Sequence, residues 1–184
     1  MKGFAFLPVL GFLALGLPAA AADVDYARSE ITFVSKQMNV PVQGRFKNFT
    51  AQIDFDFKKP AAARAQIEVD LASVDTGSAD ADAEVGKKAW FNTSAFPTAK
   101  FVSSSVTQTG ADKFEARGKL SIKGIGQDVV APFTAKRAAD AITYQGGFVL
   151  KRLQFKIGDG VWSDTDTVAD EVRVNFRVVT TGNK

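Results

Sequence analysis

The sequence predicts an all-β domain, an antiparallel sheet of about eight or more strands wrapped as a barrel or sandwich, with one short helix. Two observations predict it. Apolar and polar residues alternate with a period of two along most of the chain. Turn-forming residues punctuate that alternation at fairly regular intervals. The helix comes from the one place where the alternation fails.

The 184-residue chain opens MKGFAFLPVLGFLALGLPAAAAD. Lys2 precedes an apolar run from Phe4 to Leu17, and Ala20-Ala21-Ala22 has the A-x-A form of a signal-peptidase site. The pattern predicts a cleaved leader over residues 1–22, cut before Asp23, and an exported, periplasmic domain over residues 23–184. The apolar run falls short of the ~20 residues that a membrane-spanning helix needs, and nothing later in the chain approaches that length.

Weak alternation predicts strands at residues 31–36 and 40–46, where Gly44 suits a bulge or bend. From Ala51 the pattern is strict. Ala51, Ile53, Phe55 and Phe57 face one way, and Gln52, Asp54 and Asp56 the other. Lys58-Lys59-Pro60 marks a turn, after which Ala65, Ile67, Val69 and Leu71 oppose Gln66, Glu68 and Asp70. Residues 78–90, SADADAEVGKKAW, read as the helix. Ser78 caps it, Asp80, Asp82 and Glu84 suit its positive end and Lys87-Lys88 its negative end, while Gly86 weakens it. Residues 100–107 return to strand. In the next strand Phe114, Ala116, Gly118, Leu120 and Ile122 oppose Glu115, Arg117, Lys119, Ser121 and Lys123. Residues 124–128 read as a turn. Strands are expected at 129–136, 142–150 and 153–157, and in the last strand Val172, Val174, Phe176 and Val178 oppose Arg173, Asn175 and Arg177. Such alternation puts one face on a core and the other in water.

Composition narrows function by exclusion. The chain has no Cys and no His. It therefore has no thiolate nucleophile, no thiolate metal site and no imidazole base. No catalytic residues, metal or cofactor are expected, and the G-x-S-x-G, P-loop and G-x-G-x-x-G motifs do not occur. The acidic stretch Asp159, Asp164, Asp166, Asp170 and Glu171 does not fit the EF-hand spacing. A formal net charge of +3, scattered rather than clustered, gives no field for nucleic acid.

The chain carries 16 Phe. A barrel of about eight strands is at the size where side chains either fill the interior or leave room for one small ligand. Composition leaves both outcomes open. If a cavity exists, its expected wall is Phe33, Phe46, Phe49, Ile53, Phe55, Phe101, Leu120, Ile122, Phe133, Phe148, Leu150 and Phe155. Phe114 and Phe176 also fall on inward positions. Trp90, Phe91 and Trp162 are expected as lids at one end. Arg45, Lys151 and Arg152 are the candidates for meeting an anionic head group. Such a wall attracts hydrocarbon, since each CH₂ moved out of water gains about 0.8 kcal/mol.

Five segments carry a resemblance: FVSKQMNVPVQGRFKNFTAQIDFDF from Phe33, DLASVD from Asp70, AWFNTSAFPTAKFVSSSV from Ala89, GKLSIKGIGQDV from Gly118 and LKRLQFKIGDGVWSDTDTVADEVRV from Leu150. Taken in order, they resemble the YceI-like family of periplasmic proteins. The resemblance implies a lipocalin-like antiparallel β-barrel with a short helix. It also implies a polyisoprenoid or related long-chain amphiphilic lipid, an isoprenoid quinone among them, bound inside. Many members carry His where this chain has Gln37, so any role of that His does not transfer. The chain resembles a His-lacking branch, some of whose members sit beside membrane cytochromes of the b561 type. Two expectations follow. The first is a carrier that binds or transports such a lipid. The second is a non-catalytic accessory protein of a b561-type cytochrome or of a stress response. A homodimer is expected on the general ground that small barrels pair.

Overall fold

A computed structural model describes residues 22–182. Apart from Ala22, the expected leader lies outside them. The strands are β1 (Asp23–Val24), β2 (Glu30–Gln37), β3 (Val40–Phe46), β4 (Phe49–Asp54), β5 (Arg64–Asp70) and β6 (Val74–Asp75), then β7 (Thr98–Gln108), β8 (Lys113–Ile122), β9 (Ile125–Ala138), β10 (Ala141–Lys151) and β11 (Glu171–Thr181). One α-helix, α1 (Ala79–Val85), lies between β6 and β7.

All strands belong to one sheet, in the order β4-β5-β7-β8-β9-β10-β11-β2-β3-β6, with β1 added beside β11. Every pairing is antiparallel. The two ends of this path meet, because β3 runs into β4 through only Lys47 and Asn48. At that corner Lys47 N–H donates to Ser73 O (3.0 Å) and Asp70 N–H to Asn48 O (3.0 Å). The Ser73 hydroxyl accepts from Asn48 N–H (3.0 Å). The sheet thus curls into the expected lipocalin-like barrel, and side-chain alternation puts one face of each strand inside.

Short hairpins set the register. The β2–β3 turn uses Met38 (φ 49°) and Asn39 (φ 65°), and the β8–β9 turn uses Lys123 (φ 53°) and Gly124 (φ 75°). Two-residue loops with both φ positive match the twist of the flanking strands. The expected turn over residues 124–128 is therefore only Lys123-Gly124. Gly126 pairs with Ser121 and Asp128 with Lys119 inside the β8–β9 ladder.

Three further expectations are corrected. The helix expected over residues 78–90 ends at Val85, because Phe91 N–H and Thr93 N–H return to Val85 O and Gly86 O in successive turns. Ser78 does cap it, accepting from Ala81 N–H. Residues 153–157 are not a strand. Arg152–Phe155 form a 3₁₀ turn, in which Asp170 takes Arg152 N–H on its carbonyl and Leu153 N–H on its carboxylate. Gly44 is not a bulge either, since the β2–β3 register runs through it unbroken. A Cβ there would lie 2.3 Å from Cζ of Phe33. Glycine is what lets the Phe33 ring lie across β3.

Candidate ligand cavity

The interior is filled at one end and open for most of the rest. At the filled end Phe55 meets Phe57, Phe114 and Tyr144 edge-on, with ring centroids 5.0, 5.1 and 5.5 Å apart. Phe114 and Phe133 stack at 5.5 Å. Edge-to-face and offset pairs of this kind are the favoured aromatic geometries. Arg137 lies over Phe57 from outside, 5.6 Å from the ring centre. Burial pushes the pKa of the Tyr144 hydroxyl up, an effect that Thr180 beside it counters.

Beyond this plug lies a cavity of about 790 Å³, within the range of sites that bury small ligands. Its wall follows from alternation. Ile31 and Phe33 of β2, Val42 and Phe46 of β3, Ile53 of β4, Ile67 and Val69 of β5 and Phe101 of β7 face it. So do Leu120 and Ile122 of β8, Phe148 and Leu150 of β10, and Val172, Val174 and Phe176 of β11. Phe55 and Phe133 close its floor. At the other end α1 contributes Ala81 and Val85, and the loops contribute Trp90, Phe91 and Trp162.

Thirteen of the fifteen expected wall and lid residues border this space. The two exceptions are Phe49 and Phe155. Phe49 packs against the core cluster and edge-on against Tyr26 at 5.6 Å. Phe155 sits in the 3₁₀ turn, 1% exposed, and packs among Leu71, Ala99 and Ile157 instead. Sequence reasoning passed over the polar rim of Ser35, Gln37, Thr76, Ser78, Asp80 and Glu84. For Ser35 and Gln37 the signal was present, because they continue the alternation of Ile31 and Phe33.

None of the three head-group candidates is available to a guest. Arg45 neighbours the cavity residue Phe46, so alternation puts it on the outer face. There it pairs with Asp75 at 3.1 Å. The Gly77 N–H and the Arg45 guanidinium hold the Asp75 carboxyl below the usual carboxylate range. Lys151 follows Leu150 and is exposed on the outer face for the same reason.

Arg152 borders the cavity and is only 2% exposed, but its donors are taken. Nε donates to Ala169 O (3.1 Å), Nη1 to Ile157 O (2.9 Å) and Gly158 O (2.6 Å), and Nη2 to Trp162 O and Val168 O (2.7 Å each). A guanidinium has five N–H groups, and all are committed to backbone carbonyls. Burial lowers its pKa, and Asp170 counters this. The side chain is a clamp that ties the loop 157–169 to the end of β10. The Trp90 ring lies against it, 5.8 Å away, and Trp162 lies 5.5 Å from Trp90. Gly158 (φ 68°) completes the clamp, for a Cβ there would come within 2.5 Å of Nη1.

The acidic loop is likewise internal structure. Asp164 accepts from Thr167 Oγ1 (2.7 Å) and Asp166 N–H (3.0 Å), and these bonds lower its pKa. Among the described residues no group of three or more His, Cys, Asp or Glu is arranged to hold a metal ion. No helix among them is long and apolar enough to cross a membrane.

A curled antiparallel sheet around a deep apolar cavity, lidded by a short helix, defines a lipocalin-like barrel. The chain belongs to the YceI-like domain family, whose model matches residues 23–180. It is similar to a UPF0312 protein of Azotobacter vinelandii, 31% identical over 139 residues that make up 70% of this chain and 68% of that one. Among solved structures it is similar to Burkholderia cenocepacia BcnA, with 43% identity and a TM-score of 0.85 over 86% of this chain and all of that one. A polyisoprenoid binding domain from Saccharophagus degradans, implicated in plant cell wall breakdown, shares the fold. It has 18% identity and a TM-score of 0.71 over 89% of this chain and 99% of that one.

Proposed function

We propose that this protein is a non-catalytic binding protein that holds the chain of a polyisoprenoid-type lipid in its barrel, and that it does so in the periplasm after loss of residues 1–22. The observation that carries the reading is the cavity of about 790 Å³ walled by aliphatic and aromatic side chains. Filling such a space with hydrocarbon stabilises the complex by about 0.8 kcal/mol for each CH₂ taken from water, so a few isoprene units outweigh the cost of association. Family membership supports the reading, as does the S. degradans domain that shares the fold. An isoprenoid quinone fits the same wall and would connect the carrier to a membrane redox partner such as a b561-type cytochrome.

Native mass spectrometry of protein purified without detergent tests the proposal. The expected result is a bound mass that extracts into organic solvent and leaves the apo-protein. Protein that carries no such mass and takes up no added prenyl alcohol would defeat it. In the same spectra the exported protein is expected to begin at Asp23.

A further inference from the structure

The polar groups around the cavity bear on which lipid it takes. Among the described residues only two basic side chains border the cavity, Arg64 and Arg152. Arg152 has no N–H left to offer. Arg64 stands at the plugged end, across the ladder from Asp54, and donates from Nη1 to Ala63 O (2.7 Å). The open end is lined differently. Ser35, Gln37, Thr76 and Ser78 are neutral, and α1 adds the carboxylates of Asp80 and Glu84. Glu84 pairs with Lys87 at 2.5 Å. Asp80 is exposed and forms no ion pair among the described residues. The nearby cations on β2 and β10, Lys36 and Lys151, alternate with cavity residues and so project from the outer face.

We infer that the cavity selects amphiphiles with uncharged or cationic head groups over those with phosphate or carboxylate heads, and that Asp80 is the residue that enforces the choice. This rests on the lipid-binding reading above. A chain seated with its tail against the aromatic plug leaves its head among the α1 rim groups. An uncharged oxygen there meets hydroxyl and amide partners. A diphosphate meets the Asp80 carboxylate with no unpaired cation beside it among the described lining residues of that end, and like charges repel. Like-charge juxtaposition discriminates between partners without adding attraction to the right one.

The test uses one chain with three heads: farnesol, farnesylamine and farnesyl diphosphate, titrated against the delipidated full-length mature protein by displacement of a fluorescent apolar probe. Farnesol is expected to bind at least about tenfold tighter than the diphosphate, with farnesylamine no weaker than farnesol. The gap should narrow in high salt, as screening removes the repulsion. Asp80→Lys should raise the ratio of diphosphate to farnesol affinity several-fold, and Asp80→Asn should raise it less. Circular dichroism and a thermal melt establish that both variants fold. Equal or tighter binding of the diphosphate, or a ratio that neither variant moves, overturns the inference while leaving the carrier reading intact. If none of the three binds, the carrier reading falls and the inference falls with it.

Discussion

Arg152 shows how a residue that looks like a binding group in the sequence becomes scaffolding in the fold. Its guanidinium supplies all five donors to carbonyls of a loop that has no ladder of its own. Arg152→Lys keeps the charge but not the planar fork, and one ammonium cannot reach five separated carbonyls. The variant is expected to lose more than about 3 kcal/mol of stability in denaturant unfolding, since buried acceptors left unpaired cost about 1–3 kcal/mol each. Arg45→Ala, which removes an exposed ion pair, should cost less than about 1 kcal/mol and leave lipid binding unchanged. Asp75 gives a pH dependence. Its carboxyl is held below the usual range when folded, so its contribution is full at neutral pH and above the unfolded pKa. That contribution is lost as pH falls below about 4 toward the folded value. The stability difference between wild type and Asp75→Asn, followed by urea unfolding, should shrink over that acid range and stay constant above it. None of these roles was legible from residue type. A Lys-Arg pair after an apolar residue reads alike whether it meets a ligand, water or a ring of carbonyls, and only the folded path of the loop decides.

Among elements, the strands were legible and the connections were not. Strict alternation in β4, β5, β8 and β11 named their inner faces, because period two survives any choice of partner strand. That is why Ile53, Leu120 and Phe176 all face the cavity. The loop after β10 misled, because residues 153–157 alternate like a strand while Asp170 draws their N–H groups into a turn. Gly44 misled in another way. Glycine in a strand signals either a bulge or a close approach, and here it is the approach of the Phe33 ring. Gly44→Ala is expected to displace that ring and to destabilise the protein by about 1–3 kcal/mol, the usual cost of overpacking. A denaturant midpoint measures this, and an unchanged midpoint would show that β2 and β3 can part at no cost.

For the whole molecule, the question that composition left open was whether the phenylalanines meet or stand apart. They do both. Phe55, Phe114 and Phe133 join with Tyr144 at one end, while Phe33, Phe46, Phe101 and Phe148 stand around open space. This division is invisible in the sequence, because both sets occupy inward positions. It has a measurable consequence in a ladder of prenyl alcohols. Affinity should rise by up to about 0.8 kcal/mol per added CH₂ and then level off once about 790 Å³ is filled. Val174→Trp, which builds a large ring into the wall, should move the plateau to shorter chains. A rise that never levels would mean that the chain threads past the plug.

The aromatic plug also bears on the order in which a guest would pass. So long as the plug holds, a guest slides in hydrocarbon first from the α1 end and backs out polar end first. A carrier built this way would present its cargo's hydrophilic end while the greasy remainder is still sheathed. On the proposed carrier reading, delivery then has a built-in direction, one that a tube open at both ends would lack.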